Sequence, residues 1–450
     1  MYVMHTEALL LEELISIVGE VNVSVRQEPS IDPVYKLSAS VFVTPENEEQ
    51  VAAILQFSSE RSIHVVPQGG GTKDAYGLTS SPVTIILSLK KLSGVLHHSV
   101  GDLTVTVLPG TTLLELQETL AQHGQFLPID AAWSEQATLG GIVASNASGP
   151  KRALYGSARD HLIASRIVFP DGQIIRTGAK VVKNVAGYDM NKLFIGAMGT
   201  LGIFTELTFK IRPIPASSGL VVLSTSSPEK LIEFQENILD SHLEPCAFEI
   251  VRANAAHGLL NENQSVIYIL FEDVESSVHY QVEWVIDCAR RLAMDVLQTY
   301  KGRTTTEPIM EKLRNMAVST NDTTEEQLIV GFKLLSPIAD VPDISQFLET
   351  ISQEEDFDLH YHGGLYTGIS YVRLSTNHTK EATMLHWIKE IRGKLERIKG
   401  HAIIELAPKR IRETVPVWGN SNNTLGIMRG IKQKFDPTNS LNLGRYVGGI

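Results

Sequence analysis

Cysteine is nearly missing from this chain of 450 residues: there are two, Cys246 and Cys288, and they form no C-x-x-C pair. Their scarcity excludes a disulfide framework and an iron–sulfur cluster held by this chain alone, and predicts two buried thiols in a reducing compartment. Excess positive charge is missing too. With 39 Lys and Arg against 51 Asp and Glu, the formal charge is -12. A nucleic-acid surface is therefore not expected, and an anionic substrate would need a locally basic site. No apolar run approaches the ~20 residues that span a bilayer. Glu7, Glu12 and Glu13 stand where a signal peptide would carry Lys or Arg. We expect a cytoplasmic protein with no transmembrane segment, brought to the inner face of a membrane, if at all, through a partner. The signatures G-x-G-x-x-G and G-x-x-x-x-G-K-[ST] are absent from the glycine clusters, which disfavours Rossmann and P-loop nucleotide sites.

Glycine itself is present in quantity, and in three clusters. The first follows a short apolar strand: Pro67-Gln68-Gly69-Gly70-Gly71-Thr72. The second runs from Ala137 to Gly149 and contains Gly140-Gly141, and the third is Gly196-Ala197-Met198-Gly199-Thr200-Leu201-Gly202-Ile203. Successive amides without Cβ obstruction can converge on phosphate oxygens, although each cluster alone could be a surface turn. Three within one domain-sized span point to one extended ligand threaded between backbone segments.

A chain of this length exceeds a single hydrophobic core, so two or three domains are expected. Leu10, Leu14, Ile17 and Val18 mark an amphipathic opening helix. Val41 to Val43, a helix capped by Thr44-Pro45, and a strand at Ile63 to Val66 form a βαβ unit that delivers the first glycine loop. Strands follow at Thr84 to Leu89 and Leu103 to Leu108, with His97 and His98 in a turn. A helix then opens on a capping box from Thr112 to Glu115. Pro170-Asp171-Gly172 turns a hairpin, and Asp189 caps a helix through Ile195. Arg212-Pro213-Ile214-Pro215 ends this part. From Gly219, strand and helix units recur twice, the second time through Leu328 to Leu335, Ile344 to Ile351, His360 to Leu374, Lys380 to Ile398 and His401 to Leu406. Such a rhythm reads as an antiparallel sheet with helices on one face, in two ferredoxin-like halves.

Taken in order, Pro67 to Thr72, Ala137 to Gly149, Gly187-Tyr188-Asp189 with Gly199 to Gly202, and Phe435-Asp436-Pro437 with Asn442-Leu443-Gly444-Arg445 resemble the FAD-linked oxidases of the p-cresol methylhydroxylase and vanillyl-alcohol oxidase superfamily. Within that superfamily the chain looks most like the FAD-binding subunits of glycolate oxidase. The resemblance implies an α+β protein. An N-terminal helical arm (1–35) would precede a PCMH-type FAD-binding domain of two α/β subdomains (36–215), then an antiparallel-sheet cap with helices on one face (216–425) and a segment returning to the FAD domain (426–450). It also implies noncovalent FAD and no metal. By the resemblance, Pro67, Gly69, Gly70, Gly71, Thr72, Thr138, Gly140 and Gly141 grip the pyrophosphate, and Asp130 belongs to the cofactor site. Gly140 and Gly141 would do so with free amides at a helix N-terminus. Asn146, Ser148, Gly149 and Gly156 lie towards the flavin ring, with helix C-capping as the alternative for Asn146 and Ser148. Gly199 belongs to the same cradle, Ile203 meets the adenine through its backbone, and Asn442 sits near the ring, although Leu443 replaces the family's usual Pro.

Flavin chemistry on a 2-hydroxy acid calls for a base to take the hydroxyl proton and a cation to hold the carboxylate. In the cap, His362, Arg373 and Tyr366 are the candidates, with His360 on the same face and Lys409, Arg410 and Arg412 as a second basic group. Polar strand residues facing solvent or each other are the plainer reading of the first four, and a solvated charge run that of the last three. The family's H-x-G-D-G-N-x-H stretch is absent, and His362-Gly363-Gly364 is at best a remnant. The expected function is the FAD-binding subunit of a glycolate or D-lactate dehydrogenase, with a sister FAD subunit and an iron–sulfur electron-transfer subunit as partners. A non-catalytic FAD-binding accessory subunit is the alternative.

Overall fold

The structure, a computed structural model, describes residues 2–25, 39–78, 83–179, 188–253, 265–316, 327–420 and 423–450. Gly187 and most of the segment Lys180 to Met190 lie outside the described residues. The chain folds as two compact units. One holds Met1–Ala147, Ser157–Pro213 and Asn420–Ile450; the other holds Ser148–Gly156 and Ile214–Gly419. Among the described residues no helix is long and apolar enough to cross a membrane.

Among the described residues the first unit contains two larger sheets and a two-stranded pair, Gln125–Phe126 with Arg212–Pro213. Val23–Val25, Ala39–Val43, Val83–Ser88 and Val65–Gln68 form a four-stranded sheet in that order, parallel except at the first pair. The helices Tyr2–Val18 and Glu48–Glu60 pack on it, burying Leu14, Val18, Val51, Ile54 and Leu55. The helix after Val43 begins later than its Thr44-Pro45 signal suggests. Asn47 is the cap, its side chain accepting from the Gln50 amide, because an Asx residue three before a free N–H satisfies it directly. The second sheet is antiparallel, in the order Val95–Ser99, Thr104–Val107, Ile203–Lys210, Leu162–Val168, Ile174–Gly178. His97 and His98 therefore lie in a strand, and His98 bonds Gln125 at 2.8 Å. The Thr112–Glu115 capping box is present at the head of the helix Leu113–Ala121. Asp189 does not cap the helix Asn191–Phe194; its carboxylate instead pairs with Lys192 at 3.6 Å.

The second unit is one eight-stranded, wholly antiparallel sheet. Its strands fall into two β-α-β-β-α-β sets. In the first, Ser217–Thr225, Pro228–Leu239, Ala247–Ala253, Ser265–Asp273, Glu275–Arg291 and Asp295–Lys301 follow in order; in the second, Gln327–Leu335, Val341–Glu355, Asp358–Gly364, Ile369–Asn377, Glu381–Arg397 and His401–Leu406. Each set is a ferredoxin-like half. The halves join edge to edge through the second strand of each, Ala247–Ala253 against Asp358–Gly364. The segment His360 to Leu374 is thus a hairpin, in which Gly368, at φ +70°, reverses the chain after Leu365. One core lies on the helical face, where Phe248, Ile250, Leu359, Tyr361, Val372 and Leu374 meet Phe234, Val285, Leu348 and Ile388. Strand alternation sends Glu249, His360, His362, Tyr371 and Arg373 to the opposite face.

Candidate functional site

In the first unit the glycine loop leaves the strand Val65–Gln68. Gly69 and Gly70 must be glycines because a Cβ on Gly69 would lie 2.1 Å from the Thr138 hydroxyl oxygen, and one on Gly70 would lie 1.8 Å from the Gln136 carbonyl. The first and second clusters are therefore packed backbone to backbone. Among the described residues the amides of Gly69, Gly70, Gly71 and Thr72 donate no hydrogen bond, which leaves four consecutive donors for an anion. Gly140 differs from expectation. Its amide donates to the Pro109 carbonyl at 2.8 Å and that of Leu139 to Thr111 at 2.8 Å, so the start of the helix Leu139–Ser145 is already satisfied. Gly140 is instead a close-packing residue, its Cβ position 2.7 Å from Pro109; Gly141 reaches only the Thr138 hydroxyl, at 3.4 Å. Gly70→Ala is expected to yield a folded chain purified without yellow colour, read as the ratio of visible to ultraviolet absorbance. A stoichiometric yellow variant would show that this loop holds no cofactor.

The third cluster joins the first. Gly199, at φ +67°, brings a would-be Cβ within 3.1 Å of Pro67 and 3.8 Å of the Asn442 side-chain nitrogen. Asn442 donates through that nitrogen to the Met198 carbonyl, while its own oxygen is buried without a partner. Asn146 is the left-handed C-cap of Leu139–Ser145, at φ 49° and ψ 44°, as its capping alternative has it, and its side-chain oxygen is likewise buried and unpartnered. Asp130 is buried near the second cluster, and Ile203 opens a strand opposite Val168. Pro67, Gly69 to Thr72, Thr138, Gly199 and Asn442 are thus brought together by the fold. Ser148, Gly149 and Gly156 belong to the second unit.

In that second unit a pocket is lined by Ser148, Gly149, Pro150, Arg152, Glu249, His362, Thr367, Ile369 and Tyr371. His362 is 2% exposed. Its Nδ1 lies 3.1 Å from the Glu249 carboxylate, its ring stacks on Tyr371 at 5.1 Å, and its Nε2 is buried without a partner. A carboxylate on Nδ1 selects the tautomer that leaves the Nε2 lone pair free. Glu249 faces Gly364 across the strand pair, and a Cβ there would stand 3.2 Å from its Oε1, so the glycine makes room for the carboxylate. Tyr371 donates to the Ser148 carbonyl at 3.0 Å, and burial, the largest influence on it, pushes its hydroxyl far above the usual tyrosine range. Arg152 donates to the Ser148 hydroxyl at 3.1 Å. Arg373 and Tyr366 do not line the pocket. Arg373 stands opposite His360, two residues along the strand, and Tyr366 packs against the core. Arg410 pairs with Glu381 and Lys409 with Glu413, so those two cations are engaged locally, and Arg412 is buried.

Beside the pocket wall lies a buried ionic cluster that sequence reasoning missed. Lys151 contacts Glu272 at 2.9 Å and Glu307 at 2.6 Å, Tyr155 donates to Glu272 at 2.8 Å, and Arg314 pairs with Glu307 at 2.8 Å. Burial, which would raise the Glu307 carboxyl, is outweighed by Lys151 and Arg314, which hold it down to about 2. Burial pushes the neighbouring Cys246 thiol up to about 12.

Residues 39–178 match the family model described as FAD binding domain. The chain is 26% identical to glycolate oxidase subunit GlcD of Bacillus subtilis over 92% of this chain and 90% of that protein. It is 36% identical to glycolate oxidase subunit GlcE of Escherichia coli over 40% of this chain and 50% of that protein. Among solved structures, 4-ethylphenol oxidase from Gulosibacter chungangensis superposes with a TM-score of 0.72 at 16% identity, over 98% of this chain and 97% of that one. The likeness to that structure is one of fold.

Proposed function

From the premise that this chain is an FAD-dependent oxidoreductase with the p-cresol methylhydroxylase type of fold, we propose that it oxidises a small 2-hydroxy acid, glycolate or D-lactate, in the pocket of its second unit. Bound FAD supplies the two-electron acceptor. The chain's residues fit that cofactor: four free amides at Gly69 to Thr72 suit the pyrophosphate, and the buried, unpartnered side-chain oxygens of Asn146 and Asn442 suit donors on the flavin.

One observation carries the reading, the buried His362 whose Nε2 has no partner while Glu249 holds its Nδ1. Nε2 accepts the substrate hydroxyl proton, and the Glu249 carboxylate stabilises the imidazolium so formed. Arg152, on the same pocket wall, takes the substrate carboxylate. Tyr371 covers the imidazole face and keeps water from it. Arg152→Ala is expected to weaken apparent substrate affinity by ~1.5–3 kcal/mol, the range for a hydrogen bond to a charged group. Steady-state KM measures this, and an unchanged KM removes Arg152 from the role.

As a finer reading, the chain is a glycolate-oxidase-type subunit, acting in the cytoplasm or against the inner face of a membrane, with a sister FAD subunit and an iron–sulfur partner. Two lone cysteines support it, because a cluster must then come from another chain. A second reading, an FAD-binding accessory subunit, is favoured by the missing H-x-G-D-G-N-x-H stretch. Anaerobic addition of glycolate, then D-lactate, to the purified chain separates the two. A bleached flavin spectrum supports turnover by this chain alone, and a spectrum that stays oxidised supports the accessory role.

A further inference from the structure

The segment Asp436–Arg445 ties together the two loops that would cradle FAD, and we propose that it is a clasp that presets the glycine loop for the cofactor, with Arg445 and Lys432 as its positioning residues. This rests on the FAD reading of the first unit. The strand Val65–Gln68 is an edge of its sheet, and the segment covers that edge: the Val65 amide donates to Ser440 at 2.8 Å and the Asn442 amide to Val65 at 2.8 Å. The entrance to the glycine loop is thereby held. The exit is held by Arg445, which is 5% exposed and donates to the Asp74 carbonyl at 2.7 Å and the Lys73 carbonyl at 2.8 Å. Gly77 permits this approach, since a Cβ there would lie 2.5 Å from the Arg445 carbonyl. Between these anchors the loop's own bonds include Gln68 to Asp74 at 2.6 Å, the Asp74 amide to Gly71 at 3.2 Å and the Tyr76 amide to Lys73 at 3.0 Å.

The clasp is itself locked. The Lys432 ammonium, 3% exposed, gives its three donors to Asp436 at 2.6 Å, Leu441 at 2.7 Å and Thr200 at 2.9 Å, so it fastens the third glycine cluster to the segment as well. Asp436, fully buried, accepts the amides of Ser440 and Leu441 at 3.0 and 2.9 Å. A loop pinned at both ends loses less freedom on binding, and the gain appears as affinity. A planar guanidinium can hold two successive carbonyls, which an ammonium matches only in part. Cofactor binding and closure of the segment are then coupled, and each must favour the other equally.

The test uses the full chain stripped of flavin and titrated with FAD by flavin fluorescence. Arg445→Gln should raise the dissociation constant about 10- to 100-fold, as loss of charge-assisted bonds implies, and Arg445→Lys should recover part of it. The flavin-free form should melt as the parent does. In the unaltered chain FAD should slow hydrogen exchange at the amides of Leu441 and Asn442, a readout that needs no variant to fold. Equal FAD affinity in Arg445→Gln, a loss matched by a lower melting point of the flavin-free form, or unchanged exchange at those amides overturns the clasp. An unaltered chain that takes up no FAD overturns the cofactor reading and the clasp with it.

Discussion

Replacing His362 with asparagine is expected to slow flavin reduction by a 2-hydroxy acid about 10²- to 10⁴-fold, the span contributed by a positioned general base, with FAD still bound. Asparagine can still donate to Glu249, so the carboxylate keeps a partner and the strand pair is undisturbed. It has no lone pair basic enough to take the hydroxyl proton. Stopped-flow bleaching under saturating substrate isolates that step from any oxidant. A rate within about threefold of the parent would move the chemistry away from this pocket. Because Glu249 is 3% exposed and its contact fixes the imidazole tautomer, Glu249→Gln should lower the same rate while leaving FAD affinity alone.

Lys151→Met should cost the second unit about 3–5 kcal/mol, the usual result of breaking a buried ion pair from one side. The lysine side chain is 9% exposed and that of Glu272 is 3% exposed, so the carboxylate left behind has little water to replace its partner. Tyr155 still donates to Glu272, and Arg314 still pairs with Glu307, which makes Glu272 the stranded charge. Urea unfolding followed through Trp284, Trp387 and Trp418 measures the loss, and a change under about 1 kcal/mol would place the cluster with ordinary surface pairs. Acid supplies an independent check. Glu307 has an ordinary value of 4.5 and is lowered to about 2, so its stabilisation is complete above 4.5 and is surrendered as pH falls towards 2. In Lys151→Met only Arg314 remains to hold that carboxylate, so the acid decline should still begin below 4.5 but be smaller and finish at a higher pH than in the parent.

The sequence showed what local chemistry decides. The Thr112–Glu115 capping box is a four-residue signal, and the recurring strand and helix units of the cap follow from hydrophobic period. It was less reliable where two local signals competed, as at Thr44-Pro45 against Asn47, where the side-chain oxygen nearer the Gln50 amide prevailed. The pocket was only half visible. His362 stood out, but Glu249 lies 113 residues before it and meets it because the second strands of the two halves pair at the centre of the sheet. No local pattern encodes that order of strands. Tyr371 was hidden because the register of a hairpin, which makes it the cross-strand partner of His362, is not written in the residue spacing. Lys151 was hidden differently: beside Arg152 it looks like an exposed basic pair, and only the tertiary fold supplies the two carboxylates that bury it.

Because Ser148–Gly156 leaves the first unit, contributes to the second and then rejoins the first, the protein cannot be dissected at a single linker. A recombinant fragment beginning at Ile214 would contain Glu272, Glu307 and His362 but neither Lys151 nor Tyr155, and its pocket would be missing Ser148 and Arg152. Such a fragment carries Glu272 without Lys151 and Tyr155, and Glu307 with Arg314 but without Lys151. Independent expression of this unit therefore calls for a circular graft, in which residues 148–156 are spliced onto the excised piece or returned to it as a synthetic peptide.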